Sequence, residues 1–127
     1  MQLSAFLLDW FDENKRELPF RKNRSLYSIW VSEVMLQQTK VDTVIPYFNS
    51  WIKKFPNIKS VAEASEESIL KSWEGLGYYS RCRNFHKAAK IIVNEHGSKI
   101  PVDWESFRSL PGVGDYTAGA VLSIALN

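Results

Sequence analysis

A chain of 127 residues, 45% of them apolar, is long enough to bury one hydrophobic core and too apolar to be disordered by composition. A net charge of +2 singles out no partner, and a single cysteine, Cys82, excludes an internal disulfide and any multi-cysteine metal site within these residues. No apolar run approaches the roughly 20 residues of a membrane helix, and the N-terminus turns amphipathic within a few residues, so the expected setting is intracellular, cytoplasmic or nucleoid-associated, without secretion and without a membrane partner.

Helical periodicity runs through the chain. Leu3, Phe6, Leu7, Trp10 and Phe11 form a first apolar stripe, and Glu17 to Ser25 reads as a polar connection. A second helix is expected from about Leu26 to Gln38, with Ser25 as its N-cap. Val41, Val44, Ile45, Phe48, Ile52 and Phe55 make the next stripe; Pro46 inside it predicts a kink or a fresh helix start, and Pro56 ends it. Ser60 to Trp73 reads as two short helices, the second capped by Ser65. Gly75 and Gly77 bracket a tight turn before a long helix from about Tyr79 to Glu95, closed by Gly97. Asp103 caps a short helix, Pro111 to Gly114 turn the chain, and a last helix opens near Asp115, read as its N-cap. No segment alternates as a strand does, so the expected class is all-α, an orthogonal helical bundle. The last helix carries no stop signal, which reads as an interrupted sequence with a further segment of the same protein beyond it.

Three features carry chemistry. Glu33 lies among Trp30, Val31, Val34, Met35 and Leu36, where desolvation favours the neutral acid; an ordinary helix-surface glutamate is the alternative. Pro111-Gly112-Val113-Gly114 followed by Tyr116 and Thr117 is a glycine hairpin opening a helix, a geometry that offers N–H groups to a phosphate. Arg81, Arg83, Lys87 and Lys90 fall in a stretch from Gly75 to Asn94 that holds no acidic residue, a basic phosphate track or simply a solvated face. Cys82 reads as packing, and His86 and His96 have no metal-ligating neighbours.

Five blocks in order, Glu17-Leu18-Pro19-Phe20-Arg21, Trp30 to Thr39, Val44 to Phe48, Gly75 to Arg81 and the hairpin, resemble the adenine DNA glycosylases of the MutY type, within the helix-hairpin-helix glycosylase superfamily. The resemblance covers essentially the whole chain and implies the N-terminal part of a glycosylase catalytic domain, with its hairpin at about 103–126. It implies hydrolysis of the N-glycosidic bond of adenine mispaired with 8-oxoguanine or guanine in double-stranded DNA, after the base is flipped into a pocket. Glu33 matches the catalytic acid. Tyr116 stands where bifunctional relatives carry a Schiff-base lysine, so the implied enzyme is monofunctional, with water as nucleophile. Phe20, Arg21 and Leu36 match the adenine pocket, Phe20 departing from the usual Trp; Gln38 and Tyr78 match residues that wedge into the base stack.

The family's second catalytic carboxylate, its iron–sulfur cluster and its 8-oxoguanine-reading domain have no counterpart in these residues. The chain alone is therefore expected to be inactive or strongly slowed, with no side-chain metal site and at most a monovalent cation on hairpin carbonyls. A DNA-binding fragment without turnover, and a mismatch glycosylase of other base specificity, are the competing readings. The first apolar stripe is expected to expose a patch that promotes self-association.

Overall fold

The computed structural model describes residues 25–37 and 39–125. The N-terminal stripe, Phe20, Arg21 and Gln38 lie outside the described residues. Among those described, seven helices follow one another without a strand: α1 Leu26–Leu36, α2 Val41–Lys54, α3 Ile58–Glu63, α4 Glu66–Trp73, α5 Tyr79–Glu95, α6 Trp104–Arg108 and α7 Asp115–Ala125.

Local chemistry sets most of these boundaries. Ser25, Ser65 and Asp103 each accept a backbone N–H from three residues on, at 3.1, 3.1 and 2.9 Å, as N-caps do. Helix α3 starts at Ile58, two residues before the expected point, because Asn57 and Ser60 close a reciprocal capping box. Helix α1 stops at Leu36 rather than Gln38. Helix α2 runs through Pro46 without a fresh start. Asp42, whose carbonyl loses its helical donor to the proline ring, lies on an exposed face where water can serve it.

Helix α1 is the axis of the bundle. Every residue from Tyr27 to Leu36 is buried, so its sequence shows no polar stripe. It packs on α2 and α7, while α5 packs on α3 and α4, and α6 on α7. Trp30 joins three helices, edge-on to Phe85 of α5 at 4.7 Å and to Phe107 of α6 at 5.0 Å. Buried hydroxyls on α1 are accommodated: Ser32 donates to the Ile29 carbonyl at 2.8 Å, and the Tyr27 hydroxyl accepts from Trp51 Nε1 at 3.0 Å and donates to the Phe55 carbonyl. This packing brings the middle of α1, the start of α5 and the α6–α7 hairpin together.

Candidate functional site

Glu33 sits in the middle of α1 with none of its surface exposed, the only buried carboxylate among the described residues. Its helical neighbours Ile29, Trp30 and Leu36 are buried too, and among the described residues neither carboxylate oxygen has a hydrogen-bond partner. Burial without compensation disfavours the anion, and the carboxyl is pushed up to about 7. A group in that state exchanges a proton near neutrality, which is what a general acid requires.

The hairpin approaches this helix from the side of α7. Gln37, one turn beyond Glu33, donates through Nε2 to Thr117 Oγ1 at 3.1 Å. Thr117 and Val113 are therefore turned inward and buried, while Gly112, Asp115 and Tyr116 face out. The two hairpin glycines differ in kind. Gly112 has a φ of +79°, and a Cβ there would stand 2.8 Å from Asn84 Cβ on α5. Gly114 has no positive φ, and a Cβ there would meet nothing within 4 Å. Gly114, through its carbonyl, begins α7 by accepting the Ala118 N–H at 2.9 Å. Asp115 is inside the helix rather than its N-cap, and its carboxylate accepts from Arg108 Nε at 2.6 Å.

The turn before α5 is held from two sides. Trp73 Nε1 donates to the Gly77 carbonyl at 2.9 Å, and the Tyr47 hydroxyl donates to the Glu74 carbonyl at 2.8 Å. A Cβ on Gly75, whose φ is +98°, would fall 2.1 Å from that hydroxyl. The turn delivers Tyr78 in the left-handed region, φ 54° and ψ 52°, with 56% of its surface exposed. A bulky residue there is costly by roughly 1–3 kcal/mol and persists only where its surroundings impose it.

The four basic side chains do not all face the same way. Arg83 reaches out to Glu66 at 3.9 Å and shares a helix face with Lys87 and Lys90. Arg81 points the other way: its Nη1 donates to the carbonyls of Val34, at 2.8 Å, and Gln37. It leaves the track because α1 stops at Leu36 and its freed carbonyls need a donor. No local signal foretold that contact, nor the Gln37–Thr117 link, since the partners lie 44 to 80 positions apart.

Leu36 is buried, and Pro111 with Gly112, Asn84 and Arg81 lines a small cavity of about 50 Å³ between α1, α5 and the hairpin. Cys82 is wholly buried, its thiol pushed up to about 12 by desolvation. His86 is buried against the Ala64 carbonyl at 3.0 Å and held below its usual range, mainly by burial and then by Lys90. Among the described residues no three His, Cys, Asp or Glu side chains converge as a metal site, and no helix is long and apolar enough to cross a membrane.

The family model for HhH-GPD superfamily base excision DNA repair proteins matches residues 31–118. The chain belongs to this superfamily. Within it, the chain is 46% identical over 125 residues to the adenine DNA glycosylase of Buchnera aphidicola from Schizaphis graminum, covering 98% of this chain and 36% of that protein. It is 48% identical over 136 residues to the human adenine DNA glycosylase, covering 98% of this chain and 25% of the relative. The chain thus spans about a third or less of the curated relatives it matches. Solved structures share the fold: one described as a thermostable thymine-DNA glycosylase superposes with a TM-score of 0.76 at 24% identity, over 98% of this chain and 58% of that one. An endonuclease III–DNA covalent intermediate gives 0.76 at 21% identity, over 97% and 57%.

Proposed function

We propose that this chain is the N-terminal part of the catalytic domain of an adenine DNA glycosylase, acting on adenine mispaired with 8-oxoguanine or guanine in duplex DNA inside the cell. The observation that carries the reading is Glu33, a fully buried carboxyl without a hydrogen-bond partner among the described residues, on a helix packed against the hairpin helix. The identity to adenine DNA glycosylases over nearly the whole chain supports it.

In this reading the target adenine leaves the stack, Tyr78 enters the vacated step together with Gln38, and Phe20, Arg21 and Leu36 border the base. Neutral Glu33 protonates adenine N7. The C1′–N9 bond then breaks with its electron pair going to the base, and water adds to the oxocarbenium-like sugar. Glu33, now the anion, orients that water. Tyr116, the second residue of α7 and about half exposed, offers a phenol where Schiff-base chemistry needs an amine, so the nucleophile is water. The hairpin from Pro111 to Gly114 and the first turn of α7 hold a phosphate through backbone N–H groups, with Gly114 leaving room for close approach. Arg83, Lys87 and Lys90 follow the backbone further along.

A thiolate-ligated iron–sulfur cluster does not fit these residues, which offer only the single, buried Cys82. At the hairpin the Val113 carbonyl accepts from Arg108 Nη1 at 3.1 Å, which leaves it one lone pair for a monovalent cation. DNA binding without turnover is the second reading, favoured by the absence of another buried carboxylate among the described residues to stabilise the sugar cation.

Single-turnover adenine release from a duplex with one 8-oxoguanine–adenine pair separates the two. Release by this chain that Glu33→Gln abolishes supports the glycosylase. Salt-sensitive duplex binding with no release by either protein supports the second reading.

A further inference from the structure

The exposed Tyr78 and the end of the acid-bearing helix are physically joined, and one side chain makes the joint. Arg81 has the Tyr78 ring over its guanidinium carbon, 4.8 Å from the ring centroid. The same guanidinium donates through Nη1 to the carbonyls of Val34 and Gln37. Helix α1 has no basic residue in its own last turn, so α5 supplies the cation that its C-terminal carbonyls and dipole favour. Arg81 Nε and Nη2 are buried, with no hydrogen-bond partner among the described residues. The guanidinium thus bridges two site elements with part of its hydrogen-bonding capacity unused among the described residues.

We propose that Arg81 is a positioning residue that latches Tyr78 to the C-terminal end of α1, so that the opened base step and the acid on Glu33 stay in fixed register. This rests on the glycosylase reading above. The latch explains two features together. Tyr78 keeps a left-handed backbone and an exposed ring because its ring stacks on Arg81 while Trp73 fixes the carbonyl just before it. Helix α1 can end at Leu36 because its released Val34 carbonyl has a donor waiting on α5. A lysine would keep the charge but lose the planar guanidinium face that meets the Tyr78 ring, so the exchange is not conservative here.

The test uses the whole chain and a duplex with an 8-oxoguanine–adenine pair and 2-aminopurine beside the adenine, whose fluorescence rises when the step unstacks. Arg81→Lys and Tyr78→Leu are each expected to cut the rise at saturation at least fivefold, and the double variant to cut it no further, because both break one contact. Affinity for a fully paired duplex and its salt dependence should stay within about threefold and unchanged in slope. Ile92→Val, which weakens the core away from the latch, should leave the rise intact even where it lowers Tm as much.

An Arg81→Lys protein with a full fluorescence rise overturns the latch. So does a flatter salt slope by about 0.9 with the rise retained, which would make Arg81 a phosphate contact. A loss of rise matched by Ile92→Val at equal Tm also overturns it, by reducing Arg81 to a stability element. If the unsubstituted chain gives no rise on the mispaired duplex, the glycosylase reading fails and takes the latch with it.

Discussion

The aromatic region built from α2, α4 and the middle of α5 and the junction of α1 with the hairpin satisfy their buried polar groups to different degrees. In the first, Trp51 meets Phe55 at a tilt at 4.7 Å and Trp73 and Phe85 edge-on at 5.7 and 6.2 Å. Both indole N–H groups there have acceptors, in the Tyr27 hydroxyl and the Gly77 carbonyl. Asn49 Oδ1 is the exception among the described residues. In the second, two Glu33 oxygens and two Arg81 nitrogens are buried without partners among the described residues. Each such group costs about 1–3 kcal/mol, more when charged. The aromatic region satisfies its buried donors almost completely, while the junction leaves its charged side chains unsatisfied, as the proposed roles of Glu33 and Arg81 would require.

The largest effect that would test this division is in the aromatic region. Trp51→Ala is expected to lower unfolding stability by about 3–5 kcal/mol, read from the urea midpoint, because it removes a ring shared by three partners. At the junction the sign depends on pH. Glu33 is protonated in the folded chain up to about 7 and ionised in the unfolded chain above about 4.5, so the folded state binds the extra proton between those values. Stability therefore falls as pH rises across that window, by roughly 3 kcal/mol in all. Urea titrations at pH 4.5 and 7.5 should show that fall for the unsubstituted chain relative to Glu33→Gln, in which the slope disappears.

Smaller still is the contrast between the hairpin glycines. Gly112→Ala should cost about 1–3 kcal/mol, because the substituent meets Asn84 and a positive φ. Gly114→Ala should leave thermal stability within about 0.5 kcal/mol and show itself only as weaker duplex binding. If both glycines behave alike in melting experiments, the separation of fold from phosphate approach is wrong. The smallest effect belongs to Arg83→Ala: its exposed pair with Glu66 is worth less than about 1 kcal/mol, and the change should appear in the salt slope of DNA binding instead.

What could be read from the sequence follows the range of the interaction responsible. The caps at Ser25, Ser65 and Asp103 rest on contacts within three residues, and cap chemistry located them; the limits of α5 were located by the glycines on either side of it. The apolar neighbours of Glu33 left burial and an ordinary surface position both open, and the packing of α1 decides for burial. The early end of α1 was not legible, because Arg81 and Thr117, from other parts of the chain, hold the carbonyls and side chain that follow. For the same reason the basic track lost a member: helical spacing already sets Arg81 opposite Arg83 and Lys87, but only the packed structure shows what it faces. Gly114 looked like Gly112 because composition does not report φ.

The most direct test of the account is a carboxyl-carbon NMR titration of Glu33 in the whole chain, which needs neither turnover nor DNA. A midpoint near 7 is expected, with the proton retained by burial. A midpoint near the ordinary glutamate value of about 4.3 would mean a solvated or paired carboxylate, and the acid at the centre of this reading would not exist.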